Sequence, residues 1–351
     1  MTTIDKNKPV MITGATGYVA GWIVKKLLDE GLTVHAPVRD PKNKSKTKYL
    51  DELAASAPGK IVYFAADLLT PGSYDAAMEG CELVFHTASP FINKVRDPQK
   101  DLVDPALKGT QNVLASVNST QSVKRVVLTS SCAAIIGDNK DILGYDNQKA
   151  TEKNWNETST LTHNPYSYSK TVAEKEAWKI AEGQSRWDLV VINPALVIGP
   201  GINPNATSES FTIVKQLGDG SARMGAPNLE IGMVDVRDLA EAHYAAGFTP
   251  EAQGRHIIQA GSHTFLSLGL MLREKYANAY PFPKRTLPKF LVWLMAPTVG
   301  ITRKFVSNSL GYQWKVDNSK GIHGLNLTYR PVKTSIVDMF EQMIQNGTFK
   351  K

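Results

Sequence analysis

Two side chains that could transfer a proton, Tyr166 and Lys170, stand four residues apart. Asn164-Pro165 directly before them is typical of a helix start, and residues four apart lie on one face of a helix. A free tyrosine has a pKa of about 10, too high for ready proton exchange at neutral pH. A lysine cation about 4 Å from a phenol in a half-buried site favours the phenolate by roughly 4 kcal/mol, or about 3 pKa units. The pair is therefore predicted to act as a general acid, although this pattern alone is more often solvated surface.

A second group of hydroxyls ends an apolar run. Residues 126–129 read as a buried strand, and Thr129, Ser130 and Ser131 fall at its end. Ligands of parallel sheets gather at the carboxyl ends of the strands, so one of these hydroxyls could contact a substrate. Serines at strand ends often only form hydrogen bonds with backbone groups. The two serines are better evidence for a site when they are taken together with the tyrosine and the lysine.

The element that must position these side chains starts with a Gly-rich turn at residues 13–20. The apolar run 10–13 leads into Gly14 and Gly17, and a helical pattern follows. This order places a helix N-terminus and bare backbone N–H groups where a pyrophosphate can bind. Gly14 permits the turn, Gly17 allows close approach of the phosphates, and small Ala20 lets the helix pack on the strand. The alternative is an ordinary Gly-rich β–α turn.

Strand and helix patterns alternate through the first half of the chain. Uninterrupted apolar strands between crossover helices predict an α/β fold, a doubly wound parallel sheet of Rossmann type covered on both faces. Apolar runs lie at 10–13, 33–38, 61–65, 83–87, 126–129 and 189–193, and the clearest helical patterns lie at 20–30, 102–118 and 166–182. The alternation ends after Pro194. We therefore predict a dinucleotide-binding domain over 1–194, completed by 232–260, and a smaller C-terminal substrate-binding region formed by 195–231 and 261–351.

Composition argues against several other classes of protein. The chain has 351 residues, of which 42% are hydrophobic and 21% charged, as in ordinary globular domains. Cys81 and Cys132 lack metal-ligand spacing, so we expect a reducing compartment, no disulfide and no metal site. The N-terminus carries no apolar signal segment, which favours a cytoplasmic location. The apolar run 290–296 is too short to span a bilayer and is predicted to be a buried or pocket-lining helix, so no membrane partner is expected.

Along the chain, a Gly-rich turn is followed by a strand-end serine and then by Tyr-x-x-x-Lys. This order resembles the short-chain dehydrogenase/reductase superfamily in its extended branch, and the resemblance covers nearly the whole chain. Residues 13–20 are similar to the branch's Thr-Gly-x-x-Gly-x-x-Gly/Ala nucleotide turn. Asp67-Leu68 is similar to the Asp-Leu pair whose carboxylate meets the adenine, and residues 85–90 resemble the fourth-strand segment beside the cofactor.

The resemblance also implies a catalytic Ser, Tyr and Lys, which fall on Ser131, Tyr166 and Lys170. Ser131 is chosen over Ser130 because the motif places the active serine immediately before a small-residue segment, here 132–134. The residues assigned to cofactor binding are Thr13, Gly14, Thr16, Gly17, Tyr18, Val19, Arg39, Lys46, Asp67, Leu68, Thr87, Ala88, Ser89, Thr129, Tyr166, Lys170, Pro194, Ala195, Leu196 and Val197.

The choice of cofactor depends on Arg39, which ends the second predicted strand. NAD-selective sites prefer a carboxylate there, to hold the ribose hydroxyls. An arginine instead offers charge-assisted hydrogen bonds to a 2′-phosphate, each worth about 1.5–3 kcal/mol. Lys46 matches a second phosphate-binding position of the subgroup, and Asp40, directed toward solvent or Lys42, need not favour NAD. We predict NADPH as the cofactor. A bound phosphate also explains the local lysine cluster, so the net charge of +7 does not indicate a nucleic-acid partner.

Three further segments narrow the resemblance. Residues 104–114, 193–200 and 234–243 are similar to the group of dihydroflavonol reductases, cinnamoyl-CoA reductases and yeast-type aldehyde/ketone (methylglyoxal-type) reductases. A cinnamoyl-CoA reductase would carry Asn-Trp-Tyr-Cys-Tyr-Gly-Lys around the catalytic tyrosine, whereas residues 164–170 lack the Trp and the Cys. The resemblance therefore implies an NADPH-dependent reductase that transfers hydride to the carbonyl of aldehydes or ketones and gives alcohols.

The walls of the substrate pocket are predicted to be apolar, which suits aromatic or branched aliphatic carbonyl compounds. The residues assigned to these walls are Phe91, Ile92, Ala133, Ile136, Phe211, Val214 and Met224. His86 and His243 have no metal-ligand spacing and are predicted to be packed in the interior.

Two other functions share parts of this pattern. A sugar-nucleotide epimerase or dehydratase of the same branch has the same triad but keeps NAD bound, and Arg39 argues against it. The substrate region also lacks a basic cluster for a diphosphate. A nonenzymatic NADPH-responsive regulator often lacks the Tyr-x-x-x-Lys pair, which is intact here. The expected partner is a small carbonyl compound, and the chain is expected to be a monomer or a homodimer.

Overall fold

The apolar runs of the sequence form short strands at the centre of the molecule. The computed structural model describes residues 1–89, 95–203 and 208–349. The strands are β1 (Val10–Thr13), β2 (Thr33–Val38), β3 (Lys60–Ala65), β4 (Leu83–His86), β5 (Arg125–Thr129), β6 (Asp188–Pro194), β7 (Leu196–Ile198), β8 (Glu230–Asp235), β9 (Gly254–Ile258) and β10 (Gly261–Thr264).

Helices connect and cover these strands. They are α1 (Tyr18–Asp29), α2 (Lys44–Ala55), α3 (Asp75–Met78), α4 (Asp104–Ser119), α5 (Pro165–Glu182), α6 (Glu209–Gly218), α7 (Val236–Phe248), α8 (Phe265–Tyr276), α9 (Lys289–Met295), α10 (Arg303–Ser309), α11 (Ser319–Gly324) and α12 (Val332–Gln345). Short 3-10 and π turns lie between some of them, among them a 3-10 turn at Cys132–Ala134.

Seven strands pair in the order β3-β2-β1-β4-β5-β6-β9, all parallel. This arrangement confirms the predicted doubly wound sheet of Rossmann type. Because the strands are parallel, the carboxyl ends of β1, β4, β5 and β6 lie side by side. Ligands of such folds bind along this carboxyl-end edge of the sheet.

Both faces of this sheet are buried, as uninterrupted apolar strands require. Successive side chains of a strand point to opposite faces. In β1, Val10 and Ile12 belong to the same apolar cluster as Leu27 of α1. Met11 between them belongs to a second cluster with Val113 of α4. The period of two in β1 therefore separates two cores, one on each side of the sheet.

A smaller sheet of three strands stands beside the large one. β8 pairs parallel with β7 and antiparallel with β10. A separate apolar cluster joins α6, α8 and α12 and includes Val214, Leu272 and Phe340. β9 lies between β8 and β10 in the chain but does not join the small sheet. It pairs with β6 and is the last strand of the large sheet. The division into 1–194 with 232–260, and 195–231 with 261–351, remains a prediction.

Arg125 at the start of β5 is a buried cation that fastens the sheet to the end of α7. Its guanidinium donates to Asp188 through Nε at 2.8 Å and Nη2 at 2.9 Å. It also donates to main-chain carbonyls between residues 246 and 252. The carbonyls of Thr249 and Pro250 also accept main-chain N–H groups. Loss of the guanidinium would therefore remove a donor chiefly from the carbonyls of Ala246 and Ala252 and from the carboxylate of Asp188.

We therefore expect Arg125→Leu to lower the free energy of unfolding by about 2–3 kcal/mol. Urea denaturation followed by circular dichroism measures this loss. Lys124→Leu is the matched control, because Lys124 is exposed and pairs with Glu82 at 2.8 Å on the surface, where a change of less than about 1 kcal/mol is expected. Equal stabilities of the two variants would contradict this role of Arg125.

The apolar run at 290–296 differs from its prediction as a buried or pocket-lining helix. In the structure it forms α9, whose Phe290 and Leu294 are 68% and 60% exposed. Only Val292 and Ala296, four residues apart, turn inward onto Val306 of α10 and its neighbours. The packing of these two side chains is enough to hold a short helix against the protein. The hydrophobicity of a segment does not show which of its side chains face the protein. Among the described residues, no helix is long and apolar enough to cross a membrane.

Candidate active site

The turn between β1 and α1 brings bare main chain to the edge of the sheet. Gly14 has φ +69°, and a Cβ on it would lie 3.1 Å from Cα of Ala88. Gly17 donates its N–H to the carbonyl of Gly14 at 2.8 Å, and α1 begins at the next residue. No described side chain caps this end of α1. A helix N-terminus of this kind attracts an anion, and the cradle fits a dinucleotide pyrophosphate.

Thr13 fixes the turn against the end of β4. Its Oγ1 accepts hydrogen bonds from the N–H groups of Thr87 at 3.1 Å and Ala88 at 2.9 Å. Thr13 is fully buried, and its carbonyl accepts from Oγ1 of Thr87 at 2.5 Å. Its Oγ1 also lies 3.0 Å from Nδ1 of His86. Burial lowers the pKa of His86 to about 3, which keeps the ring neutral beside the cation of Lys170.

Other residues assigned to the cofactor surround this turn. Thr16 and Val19 are half-buried at the start of α1. Tyr18 is buried and donates its hydroxyl to the carbonyl of Gly199 at 2.6 Å, and burial raises its pKa well above the usual value. Tyr18 thus ties α1 to the segment after β7 and cannot ionise easily.

Arg39 follows directly after β2, as predicted, and is exposed. Among the described residues, no carboxylate pairs with Arg39 or with Lys46 of α2. The neighbouring lysines differ, since Lys44 lies 2.9 Å from Asp51 and Lys48 lies 3.8 Å from Glu52. Two cations of the lysine-rich segment are therefore neutralised locally, whereas Arg39 and Lys46 keep their charge available for an anion.

Asp40 does not compete for the ribose in this geometry. Its Oδ1 accepts the main-chain N–H of Lys42 at 2.9 Å, so the carboxylate is engaged by the turn that it begins. Asp67 is engaged in the same way, since its Oδ1 accepts the N–H of Leu69 at 2.9 Å. The carbonyl of Leu68 accepts from the Asn112 side chain at 3.0 Å, which ties this segment to α4.

Two serines end β5, and the structure gives them different partners. Ser130 is buried and donates its hydroxyl to Oε2 of Glu174 at 2.5 Å. Ser131 is half-buried, and its Oγ accepts the N–H of Ala133 at 3.1 Å at the start of the 3-10 turn. The hydroxyl proton of Ser131 is therefore free of this contact and can be donated to a ligand, whereas that of Ser130 is already engaged.

The tyrosine and the lysine lie on one face of α5, as their spacing predicts. The ammonium of Lys170 is 5.7 Å from the ring centroid of Tyr166 and donates to Oγ of Ser89 at 3.0 Å. Tyr166 is 53% exposed, so its hydroxyl is open to a ligand. A cavity beside these residues is lined by Ala88, Ser89, Thr129 and Lys170, all assigned to the site from the sequence.

The start of α5 is held by buried polar contacts. Asn164 adopts a left-handed conformation with φ 53° directly before the helix. Its side chain donates to Oδ1 of Asp138 at 3.0 Å, and Asp138 also lies 2.8 Å from Nε2 of His163. These contacts fix the first turn of α5, and with it the position of Tyr166.

A buried ionic network below Lys170 was missed by sequence reasoning. Glu174 comes one helical turn after Lys170, and its side chain is fully buried. It accepts from Nε of Arg255 at 2.6 Å and from the Asn193 side chain at 2.8 Å. The i, i+4 spacing from Lys170 could have placed Glu174 on this face. Nothing local in the sequence indicates Arg255, which comes from distant β9.

The segment after β6 passes the same sheet edge. Pro194 and Ala195 are buried, and Ala195 donates its N–H to the carbonyl of Ile258 at 3.1 Å. Leu196 and Val197 are half-buried. Thr129 at the end of β5 lies 2.7 Å from Nε2 of His243, a ring whose pKa burial lowers to about 4.

The residues assigned to the substrate pocket divide into three sets. Phe91 and Ile92 lie outside the described residues. Ile136 and Val214 are fully buried members of apolar clusters, so they support neighbouring side chains and offer no surface to a ligand. The three residues with accessible surface are Ala133, Phe211, which packs edge-on against Tyr18 at 5.2 Å, and Met224, which is 62% exposed.

A parallel sheet with a Gly-rich turn after its first strand, beside an exposed tyrosine and a lysine, defines a dinucleotide-binding protein of the Rossmann class. Residues 10–261 match the sequence model of the NAD dependent epimerase/dehydratase family. The chain belongs to this family, the extended branch of the short-chain dehydrogenases/reductases. This match confirms the resemblance read from the motifs.

Relatives and solved structures agree with this assignment. The cinnamoyl-CoA reductase CAD2 of Medicago truncatula is 40% identical over 282 residues, 79% of this chain and 84% of that protein. The structure of Gre2 in complex with NADPH from Candida albicans has a TM-score of 0.76 and 28% identity, covering 96% of this chain and 99% of that one. Yeast methylglyoxal/isovaleraldehyde reductase Gre2 complexed with NADPH has a TM-score of 0.76 and 26% identity, covering 97% and 99%.

Proposed function

We propose that this protein is an NADPH-dependent reductase that converts aldehydes or ketones to alcohols. The observation that carries the proposal is the position of Lys170, which contacts both Tyr166 and, through Ser89, the segment packed against the Gly-rich turn. A proton donor and a nucleotide cradle thus share one edge of the sheet. The reductases among the relatives and solved structures support the same class of reaction.

The residues around the turn suit NADPH. Gly14 and Gly17 leave the main chain open to a pyrophosphate. Arg39 and Lys46, which have no carboxylate partner among the described residues, offer two cations to a 2′-phosphate. The two Gre2 structures, which contain NADPH, support this choice. Bound NADPH supplies the hydride.

The side chains of the triad handle the carbonyl oxygen. Ser131 donates its hydroxyl hydrogen bond to that oxygen and holds the substrate in place. Tyr166 delivers its proton to the same oxygen as negative charge develops there. The ammonium of Lys170 stabilises the phenolate that remains, and it would also hold the nicotinamide ribose of bound NADPH.

Ala133, Phe211 and Met224 form the proposed apolar walls. Phe91 and Ile92, assigned to these walls from the sequence, lie outside the described residues. Such walls favour aromatic or branched aliphatic carbonyl compounds. A second candidate is the reduction of a CoA thioester, because the Medicago relative is named a cinnamoyl-CoA reductase. The missing Trp and Cys around Tyr166 make this the weaker candidate.

Two further properties belong to the proposal. Both cysteines are free and buried, and burial raises the pKa of Cys81 to about 12, so this thiol stays protonated. Free thiols suit a reducing compartment, and we assign the protein to the cytoplasm. It acts as a monomer or a homodimer, with NADPH binding in the 1–194 and 232–260 domain.

A substrate panel tests the proposed reaction. The purified protein is incubated with NADPH and separately with aromatic aldehydes, branched aliphatic aldehydes and ketones, cinnamoyl-CoA, and a UDP-sugar, and the loss of NADPH absorbance is followed. We expect turnover with aldehydes or ketones. Turnover of cinnamoyl-CoA alone would favour the thioester reaction. Conversion of the UDP-sugar by a retained NAD would contradict the proposal in favour of an epimerase or dehydratase, and no reaction would favour a regulator.

The predicted preference for NADPH over NADH depends on Arg39. Arg39→Ala removes a charge-assisted hydrogen bond to the 2′-phosphate, so we expect the ratio of kcat/KM for NADPH over NADH to fall by about 10- to 100-fold. Steady-state kinetics with both cofactors measures the ratio. Lys44→Ala is the matched control, since Lys44 pairs with Asp51, and it should leave the ratio within about threefold. An unchanged ratio in Arg39→Ala would contradict the phosphate assignment.

A further inference from the structure

The exposed side of α9 is an apolar face without a partner in the described structure. Its members are Phe290, Leu291, Trp293, Leu294 and Met295, all exposed. Phe290 and Leu294, and Leu291 and Met295, stand four residues apart and so neighbour each other on the helix. We refer to these five side chains as the α9 face. Contiguous apolar surface of this kind marks a site of interaction.

The helix below this face is firmly attached. Val292 packs on the cluster of Ala296, Val306 and Leu310. The ammonium of Lys289 donates to the carbonyls of Ser307 at 2.8 Å and Leu310 at 2.7 Å. The α9 face is therefore presented outward by contacts on its opposite side, and it is not a loose segment that could fold back over its own apolar residues.

The charge around α9 has one sign. Residues 275–316 contain seven lysines and arginines and no aspartate or glutamate, so this segment of the predicted substrate-binding region carries a net charge of +7. The cations are Lys275, Lys284, Arg285, Lys289, Arg303, Lys304 and Lys315. A partner of this surface must be negatively charged as well as apolar.

The cations next to the α9 face are free of carboxylates. The guanidinium of Arg303 lies 4.4 Å from the ring centroid of Trp293, at the border of the face. Lys304 beside it is exposed, as are Lys284 and Arg285 shortly before the helix. Within the described residues, none of these four forms an ion pair. In the part of the chain that the structure describes, Lys275 is the one cation of the segment with a carboxylate partner, Glu341 of α12.

We propose that the α9 face binds the surface of an anionic lipid bilayer, which would overturn the expectation from the sequence that the chain has no membrane partner. A short helix that presents aromatic and aliphatic side chains between cations lies in the plane of a membrane interface, with its apolar side in the acyl boundary and its cations among the head groups. Phe290 and Leu294 would enter the boundary, and Trp293 has the amphipathic ring that favours this depth.

A second copy of the chain fits this face less well. A two-fold dimer places the same patch on itself, so Arg303 and Lys304 would meet the same cations of the other copy with no carboxylate in the segment to neutralise them. Nucleic acid supplies negative charge but no apolar layer for Phe290 and Leu294. A bilayer of anionic lipid supplies both.

Vesicle flotation of the purified full-length protein tests the proposal. We expect binding to phosphatidylcholine vesicles that contain phosphatidylserine, little binding to phosphatidylcholine alone, and release as salt is raised. Phe290→Ser with Leu294→Ser should lower the bound-to-free ratio more than tenfold, because two exposed apolar side chains no longer insert. Arg303→Gln with Lys304→Gln should lower it about fivefold per cation and weaken the salt dependence.

Val62→Ser is the matched control, because Val62 is also an exposed apolar side chain, 41% exposed, but lies on β3, the edge strand at one end of the large sheet. It should leave vesicle binding unchanged, and all variants should retain the thermal unfolding transition of the wild type. Equal binding to both kinds of vesicle, binding that survives the Phe290 and Leu294 changes, or no binding at all would overturn the proposal. Sedimentation velocity adds one further outcome. A dimer that dissociates in the Phe290 and Leu294 variant, without vesicle binding, would assign the face to a second copy instead.

Discussion

Replacing Tyr166 by phenylalanine is expected to lower kcat for carbonyl reduction by about 10²–10⁴-fold, the range that a positioned general acid contributes. The change keeps the ring against Lys170 and removes only the hydroxyl that supplies the proton. NADPH binding should stay close to that of the wild type. Steady-state turnover of the best substrate of the panel at saturating NADPH, with cofactor binding followed by fluorescence, separates the two effects.

Tyr168→Phe is the control for this result. Tyr168 lies on the same helix, is half-buried and stands two residues away from Tyr166, off the face that carries Lys170. Its variant should keep kcat within a few-fold of the wild type. If Tyr166→Phe also stays within a few-fold, Tyr166 is not the proton donor and the proposed reaction chemistry is wrong.

Glu174→Leu is expected to lower the free energy of unfolding by about 3–5 kcal/mol, the second large effect. The substitution leaves the guanidinium of Arg255, which is 7% exposed, without its carboxylate, and it leaves the hydroxyl of Ser130 without an acceptor. Urea denaturation measures the loss as a shift of the midpoint at an unchanged slope.

Two further variants make this prediction specific. Lys179→Leu, on the exposed side of α5, should change the stability by less than about 1 kcal/mol. Glu174→Leu combined with Arg255→Met should recover part of the loss, because replacing both members of a buried pair removes the uncompensated charge. A Glu174→Leu protein as stable as the wild type would show that the network does not hold α5 to the sheet.

Much of the fold could be predicted from local patterns. Apolar runs without polar alternation are typical of strands buried on both faces, and β1 to β6 lie at the predicted positions, with ends that differ by about one residue. The Gly-rich turn was predicted with its residues from the spacing of the glycines between a strand and a helix pattern. In the structure, Gly14 has a positive φ and lies close to Ala88, and both features require glycine there.

The candidate site could be predicted only in part. The i, i+4 spacing placed Tyr166 and Lys170 on one face, and the strand-end rule placed Thr129 and Ser131 near them. Glu174 and Arg255 were missed because an ion pair between α5 and β9 joins residues 81 positions apart and has no local pattern. Tertiary packing alone brings them together.

Exposure was the least predictable property. Val214 and Met224 look equally apolar in the sequence, yet one is fully buried and the other is 62% exposed. The same ambiguity explains the wrong prediction for 290–296, where Val292 faces the protein and Phe290 faces solvent. Side-chain type gives a preference for burial but does not say which residues the rest of the chain covers.

Lys170 is proposed to act through Tyr166, and a double-mutant cycle on kcat tests this coupling. Tyr166→Phe, Lys170→Met and the double variant are compared with the wild type at saturating NADPH and substrate. We expect the double variant to be no slower than the slower single variant, because the effects of residues that act as one unit are not additive. If the two single effects multiply in the double variant, the lysine and the tyrosine act independently, and Lys170 does not work through Tyr166.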